Sequence, residues 1–445
     1  MSSKQPWSGR TLHFVGIGGA GMSGLALVAH ALGATVSGSD RAAGSPYVAP
    51  LRALGIEPFI GHDAANLPAG AELVVSSAIP AENPERVAAR ERDLRELHRA
   101  ELLGELTRLR PTIAVSGTHG KTTTSSMLVH ALRGCGMDPG YLVGGAVRST
   151  GSNAGWGAGE WLVVEADESD RSLLALAPTI AVLTNAELDH HTTYSSQRDM
   201  DETFRAFLAL ADRAVVVWDR PRLLALAPAG VTLASFDAAP ELTESGSRFT
   251  LDGVAVELSV PGAHNARNAA AALTAARLAG ADPEAAAVTL RDFEGAGRRF
   301  ERLGTTPQGA VVVDDYAHHP TEVAATLGAA RTLMPRRLIA VFQPHLYSRT
   351  VRQAAEFGAA LAAADEVVVL DVYPAREQAR DFPGVSGLLV ARAAADAAEG
   401  RPVTWLPTLA AAEALLAPRL REGDLVLTLG AGDVDGLGRA LVTGP

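Results

Sequence analysis

The sequence predicts an α/β protein of three domains. Its 445 residues exceed what one compact core accommodates. Short apolar runs alternate with helical stretches along the chain, and two glycine-rich turns each follow an apolar run and open a helix. With 47% hydrophobic and 20% charged residues, the composition is that of an ordinary soluble globular protein. A formal net charge of −11 repels phosphate backbones and anionic lipid, so neither nucleic acid nor membrane is an expected partner. The single cysteine, Cys135, excludes an intramolecular disulfide and a cysteine-cluster metal site. No apolar run approaches the roughly 20 residues of a membrane helix, and the N-terminal one is glycine-broken rather than built as a signal peptide. The expectation is a cytoplasmic protein, monomeric or weakly dimeric.

The first domain, residues 1–104, opens with a strand at 11–15, a glycine turn, a helix near 22–32 and a strand at 34–37. A later strand falls at 73–76, and two helical stretches rich in Arg and Glu run from about 83 to 109. The turn Gly16-Ile17-Gly18-Gly19-Ala20-Gly21 matches G-x-G-x-x-G, which lets backbone N–H groups approach a diphosphate at a helix N-terminus. Asp40 lies where a ribose-binding acid belongs. The domain is therefore Rossmann-like. The motif leaves open whether its nucleotide is a dinucleotide or a uridine diphosphate.

The central domain, 105–298, begins with a strand at 112–115 that feeds Gly117-Thr118-His119-Gly120-Lys121-Thr122-Thr123 and then a helix. Val115 stands where the longer P-loop expression has its first glycine, so the match is to the shorter G-T-x-G-K-T. The parts have the required chemistry. Gly117 and Gly120 free the backbone to wrap phosphates, Lys121 neutralises β/γ charge, and the Thr122 hydroxyl suits Mg²⁺. This is a P-loop ATPase-type α/β domain using ATP.

Glu165 ends the wholly apolar strand 161–164 and leads Glu165-Ala166-Asp167-Glu168-Ser169-Asp170. A carboxylate at that strand end faces the phosphates, while Asp167 and Asp170 fit a solvated loop equally well. Asp189-His190-His191 follows another buried strand, 180–183, and points to ligand or catalytic use. Alternation around Asp252-Gly253 marks a hairpin over 248–260. An alanine-rich helix follows at 265–278; Asn265 reads as its cap, and Asn268 one turn in has an amide able to read a purine edge.

The third domain, 299–445, repeats the pattern, with strands at 310–313, 338–342, 367–370, 403–406 and 425–429. It is Rossmann-like as well. Arg298 and Arg299 at its start suit a phosphate. Asp314-Asp315-Tyr316-Ala317-His318-His319-Pro320 and Gln343-Pro344-His345-Leu346-Tyr347-Ser348-Arg349-Thr350 end successive strands, where open α/β sheets place ligands.

In order, GIGGAGMSGLA, GTHGKTTT, EADESD, HNARNAAAA, GAGRRFE, DDYAHHPTE and FQPHLYSRT resemble the motifs of the Mur ligase family from Gly16 to Gly432. GIGGAGMSG and DDYAHHPTE point to the branch that adds L-alanine to UDP-N-acetylmuramate. The resemblance implies that the carboxylate of that sugar nucleotide attacks the γ-phosphate of ATP, giving an acyl phosphate that the L-alanine amine then opens. It implies a role in peptidoglycan precursor synthesis, and so in cell-wall biogenesis, cell shape and division.

Carried over residue by residue, Gly18, Gly19, Ala20, Gly21, Asp40 and Ser77 hold the UDP-sugar. Gly117 through Thr123, with Asn268, Arg299 and Asp314, contact ATP. Thr122, Glu165 and His190 are the metal-linked positions. Lys121, His190, His318, His345 and Arg349 are the catalytic set, with Tyr316, His345 and Arg349 on the amino-acid side. Thr192, Leu346 and Arg376 depart from the family pattern. Alternatives are a sister ligase adding another amino acid or a peptide, a nicotinamide-dependent oxidoreductase argued from the first turn alone, and a non-catalytic nucleotide-binding regulator.

Overall fold

The computed structural model describes residues 5–42, 44–244 and 246–444. The chain divides into two compact units. The first takes in residues 1–238 with Leu251–Val256 and Arg267–Phe293, and the second the remainder, chiefly Glu294–Pro445.

Two sheets build the first unit. One has five parallel strands, β1 (Thr11–Val15), β2 (Thr35–Asp40), β3 (Phe59–Ile60), β4 (Glu72–Val75) and β5 (Glu96–His98), in the order β3-β2-β1-β4-β5. The two helical stretches expected over about 83–109 are the helices Pro84–Glu91 and Arg99–Thr107, and β5, which was not expected, lies between them. Its only apolar residue, Leu97, pairs beside Val74, and so short an edge strand has no period of its own to detect.

The second sheet comprises β6 (Thr112–Ser116), β7 (Gly140–Val147), β8 (Ser152–Gly155), β9 (Leu162–Glu165), β10 (Ile180–Leu183), β11 (Ala214–Trp218) and β12 (Thr232–Phe236). The order is β12-β11-β10-β6-β9-β7-β8, with only β8 antiparallel. Every residue of β6 is buried, which explains its unbroken apolar reading. The register sets Val115 beside Glu165 and Ser116 beside Leu183, so three strands end together where the phosphate loop begins. One apolar cluster runs from Leu12 and Phe14 through Val164 to Phe204 and Phe207, and the Asn153 amide donates to the Ala20 carbonyl at 2.6 Å. The two sheets thus share a core.

A small sheet holds β13 (Glu241–Thr243), β14 (Gly246–Leu251) and β15 (Val254–Leu258). Asp252 and Gly253, both at positive φ, form the expected hairpin turn.

The second unit's main sheet consists of β16 (Glu301–Thr305), β17 (Val311–Asp315), β18 (Arg337–Phe342), β19 (Glu366–Val369), β20 (Val403–Trp405) and β21 (Asp424–Leu429). Its order is β16-β17-β21-β18-β19-β20, parallel except for β16. Val313, Ala340 and Phe342 face one apolar cluster, while Val312, Ile339 and Val341 face another. Burial on both faces is why these strands read as continuous hydrophobic runs.

Candidate active site

The phosphate loop leaves β6 at Gly117, φ +136°, where a Cβ would overlap the Thr184 hydroxyl and stand 2.9 Å from the Asn185 carbonyl oxygen. Gly120, φ +81°, precedes the helix Lys121–Gly134, and a Cβ there would overlap the Asn268 side-chain oxygen. Both positions require glycine. The loop is braced from the end of β10: the His119 N–H donates to Asn185 Oδ1 (2.9 Å), and Thr184 Oγ1 and Asn185 Nδ2 donate to the His119 carbonyl (2.7 and 2.8 Å). The purine-reading candidate Asn268 is thus brought against the loop although more than 140 residues follow Gly120 before it.

Lys121 Nζ donates to the carbonyls of Gly117 (2.7 Å) and Thr118 (3.1 Å) and to Glu168 Oε1 (3.0 Å). Burial works against its charge, but Glu168, Glu165 and Asp167 outweigh burial and raise its pKa. His190 Nε2 lies 3.1 Å from the same Glu168 oxygen. His190 itself sits at φ +50°, a left-handed conformation uncommon outside glycine and concentrated at functional sites.

Thr122 Oγ1 donates to Glu165 Oε2 at 2.9 Å, which also accepts from the Gly144 N–H at 2.8 Å. A Cβ on Gly144 would come within 2.8 Å of Glu165 Oε1. Buried Glu168 Oε2 pairs with Lys121 at 2.8 Å without an aligned hydrogen bond. The Thr122 hydroxyl and the Glu165 carboxylate, side by side at the phosphate loop, are hard oxygen donors of the kind Mg²⁺ takes, and His190, the third expected metal position, is tied to Glu168.

The first glycine turn is fastened to the end of β2. The N–H groups of Gly16 and Ile17 donate to the Ser39 carbonyl (2.8 and 3.0 Å), and the Gly18 N–H donates to Asp40 Oδ2 (2.8 Å). Asp40, expected to meet a ribose, therefore also shapes the turn. Gly19 caps the helix Ala20–Ala31, which carries Gly21 in its first turn. Ser77 is exposed and donates to Asp170 Oδ2 at 3.2 Å.

In the second unit, Asp314 is fully enclosed. Arg298 Nε donates to its Oδ2 (2.9 Å) and Thr428 Oγ1 to its Oδ1 (2.7 Å). Burial raises its pKa against the pull of Arg298. Burial also pushes Asp315 up to about 6, Arg299 opposing it. Arg298 and Arg299 each lie 5.2 Å from the Tyr316 ring centre. Beside them, the His318 ring stands 6.0 Å from that of His345, which stacks on Tyr373 at 6.0 Å. Arg349 Nη1 is 3.4 Å from His345 Nδ1. Tyr316, His318, His345 and Arg349, expected from two separate motifs, are thus one cluster.

Residues 11–110 match the Mur ligase family's catalytic domain, 115–276 its middle domain and 298–432 its glutamate ligase domain. The chain belongs to the Mur ligase family. It is 44% identical to a UDP-N-acetylmuramate–L-alanine ligase of Acidithiobacillus ferrooxidans, with 96% of each chain covered. It is 46% identical to a protein of the same name from Mycolicibacterium smegmatis, covering 97% of this chain and 94% of that one. Among solved structures, the UDP-N-acetylmuramate-alanine ligase of Thermotoga maritima superposes with a TM-score of 0.83 at 29% identity, covering 97% and 98% of the two chains. A murein peptide ligase from Psychrobacter arcticus gives 0.73 at 25% identity, covering 98% of each.

Within this Mur ligase, sequence reading passed over Glu168 and Arg99. Glu168 lay inside an acidic run that reads as solvated, and only its burial beside Lys121 singles it out. Arg99 Nη2 donates to Asp167 Oδ2 (2.8 Å) and Asp170 Oδ2 (2.9 Å), and nothing around Arg99 in the sequence marks it. Of the departures from the family pattern, Thr192 and Arg376 are exposed. Leu346 is buried at φ +69° and caps the helix Tyr347–Leu361.

Proposed function

We propose that this chain is an ATP-dependent ligase joining L-alanine to the carboxylate of UDP-N-acetylmuramate in peptidoglycan precursor synthesis. The observation that carries the reading is the phosphate loop, whose lysine and threonine are each held by a carboxylate. A carboxylate is a poor electrophile, and amide formation needs it converted to an acyl phosphate. The sugar's carboxylate oxygen bonds to the γ-phosphorus as ADP leaves. The amine then bonds to the acyl carbon, phosphate departs and the nitrogen loses a proton.

Lys121 stabilises the phosphoryl group in transfer, and backbone N–H groups of residues 117–123 bind the phosphates. Thr122, Glu165 and His190 are assigned to Mg²⁺, which when bound offsets charge on the phosphate oxygens. Gly18 through Gly21, Asp40 and Ser77 receive the sugar nucleotide. Asn268, Arg299 and Asp314 serve ATP. Tyr316, His318, His345 and Arg349 serve L-alanine and the reacting carboxylate. On this reading residues 1–104, 105–298 and 299–445 serve sugar nucleotide, ATP and amino acid respectively. The enzyme acts in the cytoplasm as a monomer or weak dimer, supporting cell shape and division.

The test is phosphate release from ATP with UDP-N-acetylmuramate, screened over L-alanine, L-serine, glycine and a muramyl-type peptide, with product masses determined. L-alanine-dependent release with the mass of the alanyl product supports the reading. Turnover with the peptide alone would replace it with a peptide-adding activity.

A further inference from the structure

Arg99 lies outside every motif, yet it occupies the seam between the first glycine turn and the acidic end of β9. It is the first residue of the helix Arg99–Thr107, directly after β5, and its side chain is largely buried. One guanidinium nitrogen, Nη2, binds both Asp167 and Asp170. The other, Nη1, lies on the side of the first turn, 3.7 Å from where a Cβ on Gly21 would stand. Ser77, from the loop after β4, reaches the same Asp170.

Asp167 connects this guanidinium to the phosphate loop. It belongs to the segment that carries Glu165, partner of Thr122, and Glu168, partner of Lys121 and His190. Both Arg99 and Lys121 act electrostatically on Asp167. The charges therefore alternate from the first glycine turn to the phosphate loop: Arg99, Asp167, Lys121, Glu168. An anion that draws Lys121 toward itself leaves Arg99 as the principal cation of Asp167. An anion at the first turn meets that same guanidinium on its other edge. A planar fork presents separate nitrogens to the two sides, whereas an ammonium places all its donors on one atom.

We propose that Arg99 is a positioning residue that couples the two nucleotide sites: held by Asp167 and Asp170 and facing the Gly16–Gly21 turn, it makes occupancy of either site change the affinity of the other. The proposal rests on the reading of that turn as the sugar-nucleotide site. Linkage requires the coupling to be reciprocal.

The experiment measures, on the full-length enzyme, the dissociation constant of a non-hydrolysable ATP analogue with and without saturating UDP-N-acetylmuramate. In the wild type the two constants differ by about fivefold or more. In Arg99→Gln the ratio collapses to about 1, while affinity for the analogue alone stays within about threefold, because Lys121 and the loop are untouched. Arg99→Lys keeps the buried charge but loses the fork, so it folds and still loses most of the coupling. Asp170→Asn, which leaves Asp167 paired, gives an intermediate ratio.

A merely structural Arg99 would weaken both ligands together and leave the ratio unchanged, and that result overturns the proposal. If Arg99→Gln does not fold, Arg99→Lys and Asp170→Asn decide: wild-type ratios in both overturn it. A wild type that does not bind UDP-N-acetylmuramate overturns the reading of the first turn and the proposal with it. Binding with a ratio insensitive to Arg99 overturns the proposal alone.

Discussion

Lys121 Nζ lies 2.8 Å from a carboxylate oxygen of Glu168, a residue with no exposed surface. The lysine assigned to ATP phosphate is thus part of a buried ion pair. Removing one member of such a pair leaves an uncompensated charge. Stability and catalysis are therefore joined at this residue and must be separated by the choice of variant.

Lys121→Ala is expected to lower turnover by about 10³-fold or more, since it removes a preorganised charge from the transferring phosphoryl group. It also strips the buried Glu168 carboxylate of its lysine, leaving His190 beside it, at a cost of up to about 3–5 kcal/mol. The double variant Lys121→Met with Glu168→Gln regains much of that stability and none of the activity. UDP-N-acetylmuramate binding persists in both. Phosphate release and thermal melting check the pair of claims, and turnover by Lys121→Ala would sink the phosphate-loop assignment.

Glu165→Ala removes the acceptor of the Thr122 hydroxyl and the Gly144 N–H. The expected result is a Mg²⁺ requirement shifted upward by about tenfold or more together with a fall in turnover. The check is a Mg²⁺ titration of phosphate release at saturating ATP. A variant that loses only thermal stability would make Glu165 a structural acceptor of the loop and no more.

The glycine loops, the strand ends and the parallel sheets were legible because each depends on local chemistry: a glycine where a Cβ has no room, an apolar run buried on both faces. Gly117 and β6 are the clearest cases. What stayed hidden depends on contacts between distant residues. Arg99 is one arginine among several in its stretch until Asp167 and Asp170 are folded against it, 68 and 71 residues away. Glu168 differs from its acidic neighbours only by complete burial. Asp314 lies at the end of a strand, as expected; its engagement by Arg298 and Thr428 comes from residues on either side of β17 in space. The strand β5 was lost because a three-residue edge strand presents too little pattern.

Asp315 carries a pH prediction. Burial pushes its folded pKa up to about 6, well above the ordinary carboxylate value of about 3.9. Between those values the native state holds a proton that the unfolded chain has released, so the contribution of Asp315 to stability falls as pH rises and levels off above about pH 6. The size is on the order of 3 kcal/mol across that window. Asp315→Asn cannot ionise, so the variant-minus-wild-type stability difference should grow in the variant's favour between about pH 4 and pH 6 and then stay flat. Its absolute value is offset downward, because the amide cannot accept from both the Phe300 and Ala317 N–H groups as the carboxylate does. Chemical denaturation at stepped pH measures the slope; a difference independent of pH would show that Asp315 ionises normally in the folded protein.

Gly117 and Gly136 both have positive φ, +136° and +75°, and are separated by what surrounds them. A Cβ at Gly136 meets nothing within 4 Å, so Gly136→Ala bears only the backbone cost of a left-handed alanine, about 1 kcal/mol. A Cβ at Gly117 meets the Thr184 hydroxyl and both the carbonyl and the N–H of Asn185. Two of these contacts are backbone, and Asn185 is the residue that braces His119, so the loop has to move for the methyl group to fit. Gly117→Ala is expected to cost about 2–4 kcal/mol in stability. It should also raise the KM for ATP by about tenfold or more, since displaced N–H groups no longer converge on phosphate. Melting curves and ATP saturation kinetics on the two variants test this directly: equal losses at Gly117 and Gly136 would mean that the close approach to Thr184 and Asn185 does not shape the loop.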